Sequence, residues 1–217
     1  SVYFAVRSEG LSGLGGFAVS VETDIANGLP AFETVGLPDA SVRESRERVR
    51  AAIKNAGFAF PAARITVNLS PADRRKEGAF YDLPIAVSIL AASGQLAALA
   101  AEDTVFLGEL ALDGAVREIS GVLPMVIDAQ TRGVRQIYVP AGNAEEAACV
   151  GNVAIYPVDS LGSLAAHIRG DKPIKPFPPS AWRGGSVRYG ADFSEIRGQQ
   201  GAKRAAEIAV AGDTTSC

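Results

Sequence analysis

The chain has 217 residues, of which 47% are hydrophobic, and its formal charge is −3 at pH 7. This composition supports a sizeable core and excludes a globally disordered chain. The slightly acidic balance excludes a uniformly basic nucleic-acid-binding surface, so any basic surface must be local.

The cysteine content and the start of the chain bear on the cellular compartment. Cys149 and Cys217 are too few for a disulfide framework, and Cys149 lies in an apolar run typical of a small buried residue. The first residues show no charged leader followed by an apolar stretch, so no signal peptide is expected. These features predict a cytoplasmic protein in a reducing environment.

The first third of the chain predicts strands on either side of a helix. Residues 17–23 and 64–69 alternate apolar and polar side chains with the period of half-buried strands. Between them, Asp39 or Ser41 is a suitable N-cap for a helix that runs to about Asn55, and Gly57 is a suitable stop.

An uncharged stretch over residues 83–101 is about as long as a membrane span. Serine, glycine and glutamine interrupt it, and much of the remainder is alanine. We therefore predict a buried core helix that ends near Gly94, with Pro84 in its first turn, and no membrane segment.

The rest of the chain alternates strands with helices and then changes in composition. Strands are predicted over 104–109, 136–139 and 153–156, and helices over 121–132, 144–150 and 161–168. Strands that come first and alternate with helices later indicate an α+β fold with mixed α/β layers. Residues 171–190, rich in proline and glycine, predict a linker. Residues 191–212 resemble the start of a second domain, and 213–217 have no structural explanation.

A basic stretch between Ser41 and Lys76 holds nine basic and three acidic residues, a formal charge of +6. On a helix, four of the cations line one stripe beside an apolar stripe, and such a stripe can follow phosphates. The alternatives are that these arginines pair with Glu44 and Glu47, or contact a neighbouring subunit. The predicted DNA-contacting residues are Arg43, Arg46, Arg50, Lys54, Arg74, Arg75 and Lys76.

Three groups of motifs together resemble the ComM/YifB family of magnesium-chelatase-like AAA+ proteins. They are Asn27-Gly28-Leu29-Pro30 with Val35-Gly36-Leu37-Pro38, Asn68 to Asp73 with Lys76-Glu77-Gly78 and Tyr81 to Pro84, and the segment from Asp192 to Ala211. The resemblance implies that residues 1–170 form a domain similar to the protease domain of Lon, a fold shared with the carboxy-terminal domain of RadA. It also implies that residues 191–212 begin a truncated AAA+ module.

The same resemblance implies that this Lon-like domain lacks protease activity. A Ser–Lys dyad needs a hydroxyl nucleophile beside a lysine that can accept its proton. The position similar to the Lon serine holds Phe80, and the position similar to the lysine holds Leu123. Neither side chain can perform its step, so we expect a non-catalytic domain, with a protease that uses an unrecognised nucleophile as a remaining alternative.

Cofactor sites are not expected within this chain. A phosphate loop reads G-x-x-x-x-G-K-[ST], and no such string occurs in the 217 residues. The single histidine, His167, fits the end of a helix, and no cluster of metal ligands is visible. For the full-length protein the resemblance implies ATP and magnesium, a homo-hexameric ring, DNA as a partner and ATP-driven DNA remodelling. A purely structural oligomerisation domain is the alternative.

Overall fold

The computed structural model describes residues 1–13, 15–99 and 102–179. Contacts group Ser1–Ala147 with Asn152–Phe177 into a first compact unit, to which Ala148–Gly151 do not belong. The predicted start of a second domain (191–212), the final residues 213–217 and most of the predicted linker lie outside the described residues. Within the described residues, every strand and helix belongs to the first unit.

A seven-stranded sheet forms the centre of this unit. Its strands are β1 (Val2–Ser12), β2 (Gly15–Ala26), β3 (Ala31–Val35), β4 (Arg64–Ser70), β5 (Thr104–Phe106), β8 (Gln136–Pro140) and β9 (Ala154–Val158). Their order across the sheet is β3-β4-β2-β1-β5-β8-β9. Strands β1 and β2 form a long antiparallel hairpin, β4 is antiparallel to β2, and all other neighbouring pairs in this sheet are parallel. The α+β prediction is confirmed.

Helices pack on both faces of the hairpin. The register of β1 with β2 is unbroken, so alternate residues face opposite sides. Thr23 faces helix α2 (Asp82–Ala92), where its hydroxyl lies 2.5 Å from that of Ser88. Gly16 faces helix α3 (Val122–Thr131), and a Cβ on Gly16 would lie 2.9 Å from the carbonyl oxygen of Pro124. The two helices therefore cover opposite faces.

Two helices in the first half of the chain match the sequence predictions closely. Helix α1 (Ala40–Asn55) begins where the Asp39 carboxylate accepts a hydrogen bond from the backbone N–H of Val42 at 2.8 Å. Ten of the eleven residues of α2 are buried, which confirms the predicted core helix. Among the described residues, no helix is long and apolar enough to cross a membrane.

The predicted strand 104–109 is wrong in one respect, because it divides into β5 and a short hairpin. Gly108 leaves the main sheet, since its N–H donates to Phe80 O at 2.9 Å and its carbonyl accepts from Leu83 N at 3.0 Å. These bonds hold the start of α2 instead of extending β5. The chain then forms β6 (Glu109–Leu110) and β7 (Val116–Arg117), which pair around a turn at Gly114.

The predicted helix 144–150 is shorter than expected. A 3₁₀ turn, Ala141–Asn143, precedes helix α4, which covers only Ala144–Ala147. The Asn143 side chain fixes this start, because it exchanges two hydrogen bonds of 2.9 Å with the backbone of Ile119. Before β9 the chain turns at Asn152, whose φ is +65°. Helix α5 (Leu161–Arg169) follows β9 and begins with a capping box between Ser160 and Ser163.

Candidate nucleic-acid interface

One side of α1 carries the four predicted cations. Arg43 donates to Pro38 O at 2.7 Å, and Arg46 donates to Phe32 O at 3.2 Å. The second bond directs Arg46 toward β3, an edge strand of the sheet, and the first holds Arg43 against the segment between β3 and α1. Lys54 follows at the exposed end of the helix. The predicted stripe is therefore present as a row of cations along the side of α1 near β3.

Arg50 in this row is held by aromatic rings. Its guanidinium carbon lies 4.8 Å from the centroid of the Phe60 ring and 5.9 Å from that of Phe32. The two rings are in contact with each other, with centroids 5.5 Å apart. A guanidinium on aromatic faces gains cation–π attraction and keeps its charge. Arg50 is thus held in place without a carboxylate.

Within the part of the chain that the structure describes, none of these four cations forms an ion pair. Glu44, which the alternative interpretation paired with the stripe, instead lies 3.5 Å from Arg48. Arg48 lies on the same helix but points inward, where its Nε donates to Asp82 at 2.6 Å. The helix therefore has one neutralised arginine and a separate row of four cations. We call this row, Arg43, Arg46, Arg50 and Lys54, the α1 cationic row.

Asp82 is a buried residue that sequence reasoning missed. Its carboxylate accepts hydrogen bonds from Ser45 Oγ at 2.5 Å, from Arg48 and from the N–H of Leu110 at 3.0 Å. Burial raises the pKa of Asp82, and the donors around it oppose that rise. This network ties α1, α2 and β6 together. The Tyr81-Asp82 pair was visible in the sequence, but nothing local predicted that its partners lie 28 to 37 residues away.

The second part of the predicted basic site, residues 74–76, is divided by the fold. The Arg74 guanidinium carbon lies 3.9 Å from the centroid of the Phe17 ring, and Arg75 pairs with Glu77 at 3.3 Å. Both arginines are exposed at the surface. Their side chains remain accessible to a polyanion, although Arg75 is already partly neutralised.

Lys76 must be removed from the predicted DNA-contacting set. Its side chain is inaccessible to solvent, and Nζ donates to Gly36 O at 2.8 Å and to Pro71 O. Its backbone N–H also donates to Leu37 O at 3.0 Å. Burial lowers the pKa of the Lys76 ammonium. Lys76 therefore joins two loops and presents no charge to a ligand.

The degenerate dyad positions are occupied by packed apolar side chains. Phe80 is buried against Tyr81, with ring centroids 4.8 Å apart, and Leu123 lies half-buried in the first turn of α3. Lys76 is the buried lysine of this region, and its amine acceptors among the described residues are the Gly36 and Pro71 carbonyls. Ser120, the serine that precedes α3 in the sequence, is exposed.

A second buried carboxyl, also missed from the sequence, lies between β1 and α3. Glu9 is inaccessible to solvent and accepts a hydrogen bond from Arg132, which also pairs with Asp128 at 2.9 Å. Burial is the largest cause that raises the pKa of Glu9, to about 9, and the neighbouring Asp128 carboxylate adds to it. The raised pKa favours the protonated form of Glu9 at neutral pH.

Metal ligands are not gathered in the described part of the chain. Within residues 1–13, 15–99 and 102–179, no group of three or more His, Cys, Asp or Glu side chains is placed to hold a metal ion.

Comparison with known proteins identifies relatives over most of the chain. Residues 21–143 match the family model described as subunit ChlI of Mg-chelatase. The competence protein ComM of Haemophilus influenzae is 41% identical over 198 residues, which are 89% of this chain and 38% of that protein. The uncharacterized protein YifB of Salmonella typhimurium is 41% identical over 207 residues, and YifB of Escherichia coli is 38% identical over 207 residues, in each case 95% of this chain and 40% of the relative.

The chain spans about two fifths of the length of the curated relatives it matches. The first two groups of motifs, including the loop held by Lys76 and the segment around Asp82, lie within residues 21–143. The chain belongs to the ComM/YifB family of magnesium-chelatase-like proteins.

Proposed function

We propose that this chain is a non-catalytic accessory domain of a bacterial AAA+ ATPase that supports ring assembly and engages DNA. The remodelling that it serves is ATP-driven, as in branch migration during recombination or natural transformation. A relative named a competence protein supports this setting. The observation that carries the DNA contact is the α1 cationic row, which has no carboxylate partner within the described residues.

The row has the length and rigidity expected of a backbone-binding surface. Eleven residues separate Arg43 from Lys54, a distance of about 16 Å along a helix, which is enough to pass several phosphates of one strand. Arg46 is held by a carbonyl and Arg50 by two rings, so little side-chain freedom remains to be lost on binding. Such contacts position a strand without reading its sequence.

The test measures DNA binding by the 217-residue chain. The signal is the fluorescence anisotropy of labelled single- and double-stranded DNA, recorded at a series of salt concentrations. We expect binding that weakens steeply with salt. Combined reversal of Arg43, Arg46 and Arg50 to Glu should reduce affinity by about tenfold to a hundredfold and reduce the salt slope by about three.

A charge-matched control separates the row from the general effect of net charge. Arg7, Arg117 and Arg135 are exposed and lie outside α1, so their reversal to Glu changes the total charge equally. This control variant should retain most of the affinity. The DNA proposal is wrong if the wild-type chain fails to bind at low salt, or if both triple variants lose the same affinity.

A second candidate function is a purely structural oligomerisation domain, favoured by exposed apolar residues around β3. Leu29 is 86% exposed, and Val35 and Leu37 are 44% and 50% exposed. Since β3 is an edge strand, these residues border unpaired backbone that a neighbour can cover. Light scattering on the same sample distinguishes the two candidate functions, because a purely structural oligomerisation domain predicts defined oligomers without DNA affinity.

Catalysis and cofactor binding complete the proposal. ATP and magnesium are assigned to the part of the full-length protein beyond this chain, in a homo-hexameric cytoplasmic ring. A fluorescent casein assay and labelling with a serine-directed probe address the protease alternative. We expect neither to respond, because a phenyl ring and an isobutyl group occupy the positions that resemble the dyad.

A further inference from the structure

The residues that follow α5 lie against the domain, although the sequence predicts a linker from residue 171. The N–H of Ile174 donates to His167 Nδ1 at 2.8 Å, and the N–H of Phe177 donates to Ile155 O at 2.7 Å on the outer edge of β9. Both side chains are half-buried. We call residues 172–177 the strap.

Most backbone N–H groups of the strap donate hydrogen bonds to the domain. Pro173 and Pro176 have no N–H, so four backbone donors remain in residues 172–177. Lys172 donates to Ala166 O at 3.3 Å, and Ile174 and Phe177 donate to α5 and β9. Three of the four donors therefore bind the domain. A proline-rich tether that served only as a spacer would leave its backbone to water.

His167 is held in a single orientation by both ring nitrogens. Nδ1 accepts from Ile174, so the ring proton lies on Nε2, which is 2.8 Å from the Tyr138 hydroxyl. The ring also packs against Tyr138 and Tyr156, with centroids 5.6 and 5.5 Å away. The strap thus depends on the neutral Nε2–H tautomer of His167.

We propose that the surface formed by α5 and the outer edge of β9 is a docking groove for the chain's own strap. In this groove His167 acts as a latch that releases the strap when the imidazole gains a second proton. An imidazolium carries N–H groups on both nitrogens, so Nδ1 would then face the N–H of Ile174 as a second donor.

Within residues 1–13, 15–99 and 102–179, no carboxylate is placed to offset that charge. The titratable groups that face its ring are the phenols of Tyr138 and Tyr156. The carboxylate of Asp171 pairs with Arg169 at 3.1 Å, and Lys172 and Lys175 are exposed. Burial lowers the pKa of His167 below its ordinary value. The latched ring therefore has a lower pKa than the released ring, so the strap is held at neutral pH and loosens as pH falls.

NMR-detected hydrogen exchange on the 217-residue chain tests the latch at two positions. At pH 7.5 the amides of Ile174 and Phe177 should be protected. His167→Phe keeps an aromatic ring but removes the acceptor, and should speed exchange at Ile174 by about tenfold or more. The amide of Val67, in the distant strand β4, should be unchanged and reports that the domain remains folded.

A second variant tests the role of the proton. His167→Asn supplies an amide oxygen as acceptor and does not titrate, so its strap protection should be the same at pH 7.5 and 5.5 after correction for intrinsic exchange. Wild-type protection should fall over the same interval. The latch is refuted if wild-type protection is independent of pH, or if His167→Asn shows the same loss. It is also refuted if a folded His167→Phe protein retains full protection.

Discussion

Two buried carboxyl groups, Asp82 and Glu9, each meet an arginine but differ in their remaining partners. Asp82 accepts from Ser45, Arg48 and the backbone of Leu110. Glu9 accepts from Arg132 alone, and its Oε1 has no donor within the described residues. The pKa of Glu9 is raised to about 9 by burial. Burial also raises the pKa of Asp82, but Arg48, Ser45 and the backbone of Leu110 oppose that rise, whereas Glu9 has Arg132 as its one donor within the described residues.

The largest effect is expected from removing the better satisfied carboxylate. Asp82→Ala leaves Arg48, Ser45 and the N–H of Leu110 without their acceptor and should reduce the free energy of unfolding by about 3 to 5 kcal/mol. Urea denaturation measures this loss. Asp73→Ala, at an exposed aspartate, is the control and should change stability by less than about 0.5 kcal/mol. A loss below about 1 kcal/mol for Asp82→Ala would contradict the network.

A smaller effect is expected where α3 approaches the hairpin beside Glu9. A Cβ on Gly16 would lie 2.9 Å from both Glu9 Oε1 and the carbonyl oxygen of Pro124, and the latter is backbone that cannot easily move. Gly16→Ala should therefore cost about 1 to 3 kcal/mol. Gly15→Ala is a matched control because a Cβ there meets nothing within 4 Å. Equal denaturation midpoints for the two variants would show that the close approach of α3 to Gly16 does not contribute to stability.

The smallest effect, counted per pH unit, is the change in the free energy of unfolding that arises from the titration of Glu9. The folded protein keeps the Glu9 proton up to about pH 9, whereas the unfolded chain loses it near 4.5. Stability should therefore fall as pH rises between these values, by about 1 kcal/mol per pH unit. Glu9→Gln retains an acceptor for Arg132 and a donor for Asp128, and should flatten this slope in urea denaturation series from pH 5 to 8. An unchanged slope would assign the dependence to another group.

Much of the fold was predictable because hydrophobic period is a local property. Strands β2 and β4 and helices α1 and α2 followed from alternation, a cap and an uncharged run. Strand β1 was missed because Ser8, Glu9 and Gly10 are buried in succession, which breaks the period of two. Their burial depends on helices far along the chain, and a local pattern contains no information about these contacts.

The sequence predicted how the cations of the candidate site are spaced, but not which of them are available to a ligand. Helical spacing separated Arg50 from Arg48, but it did not show that Asp82 draws Arg48 inward or that aromatic rings hold Arg50 near β3. Lys76 was indistinguishable from Arg74 and Arg75, since its burial depends on carbonyls contributed by Gly36 and Pro71. Whether a charge is available to a ligand is decided by such tertiary partners.

The position of β1 has a consequence for the order of folding. This strand joins the hairpin half of the sheet to the parallel half through the pair Arg7 and Val105, and Ser8 Oγ donates to Phe106 O across 98 residues of sequence. The hairpin can form soon after it leaves the ribosome. The edge of β1 that faces away from β2, however, has no partner until β5 has been synthesised. At about 5 to 20 residues per second, that strand edge remains open for about 5 to 20 seconds, an interval in which chaperones can bind nascent chains.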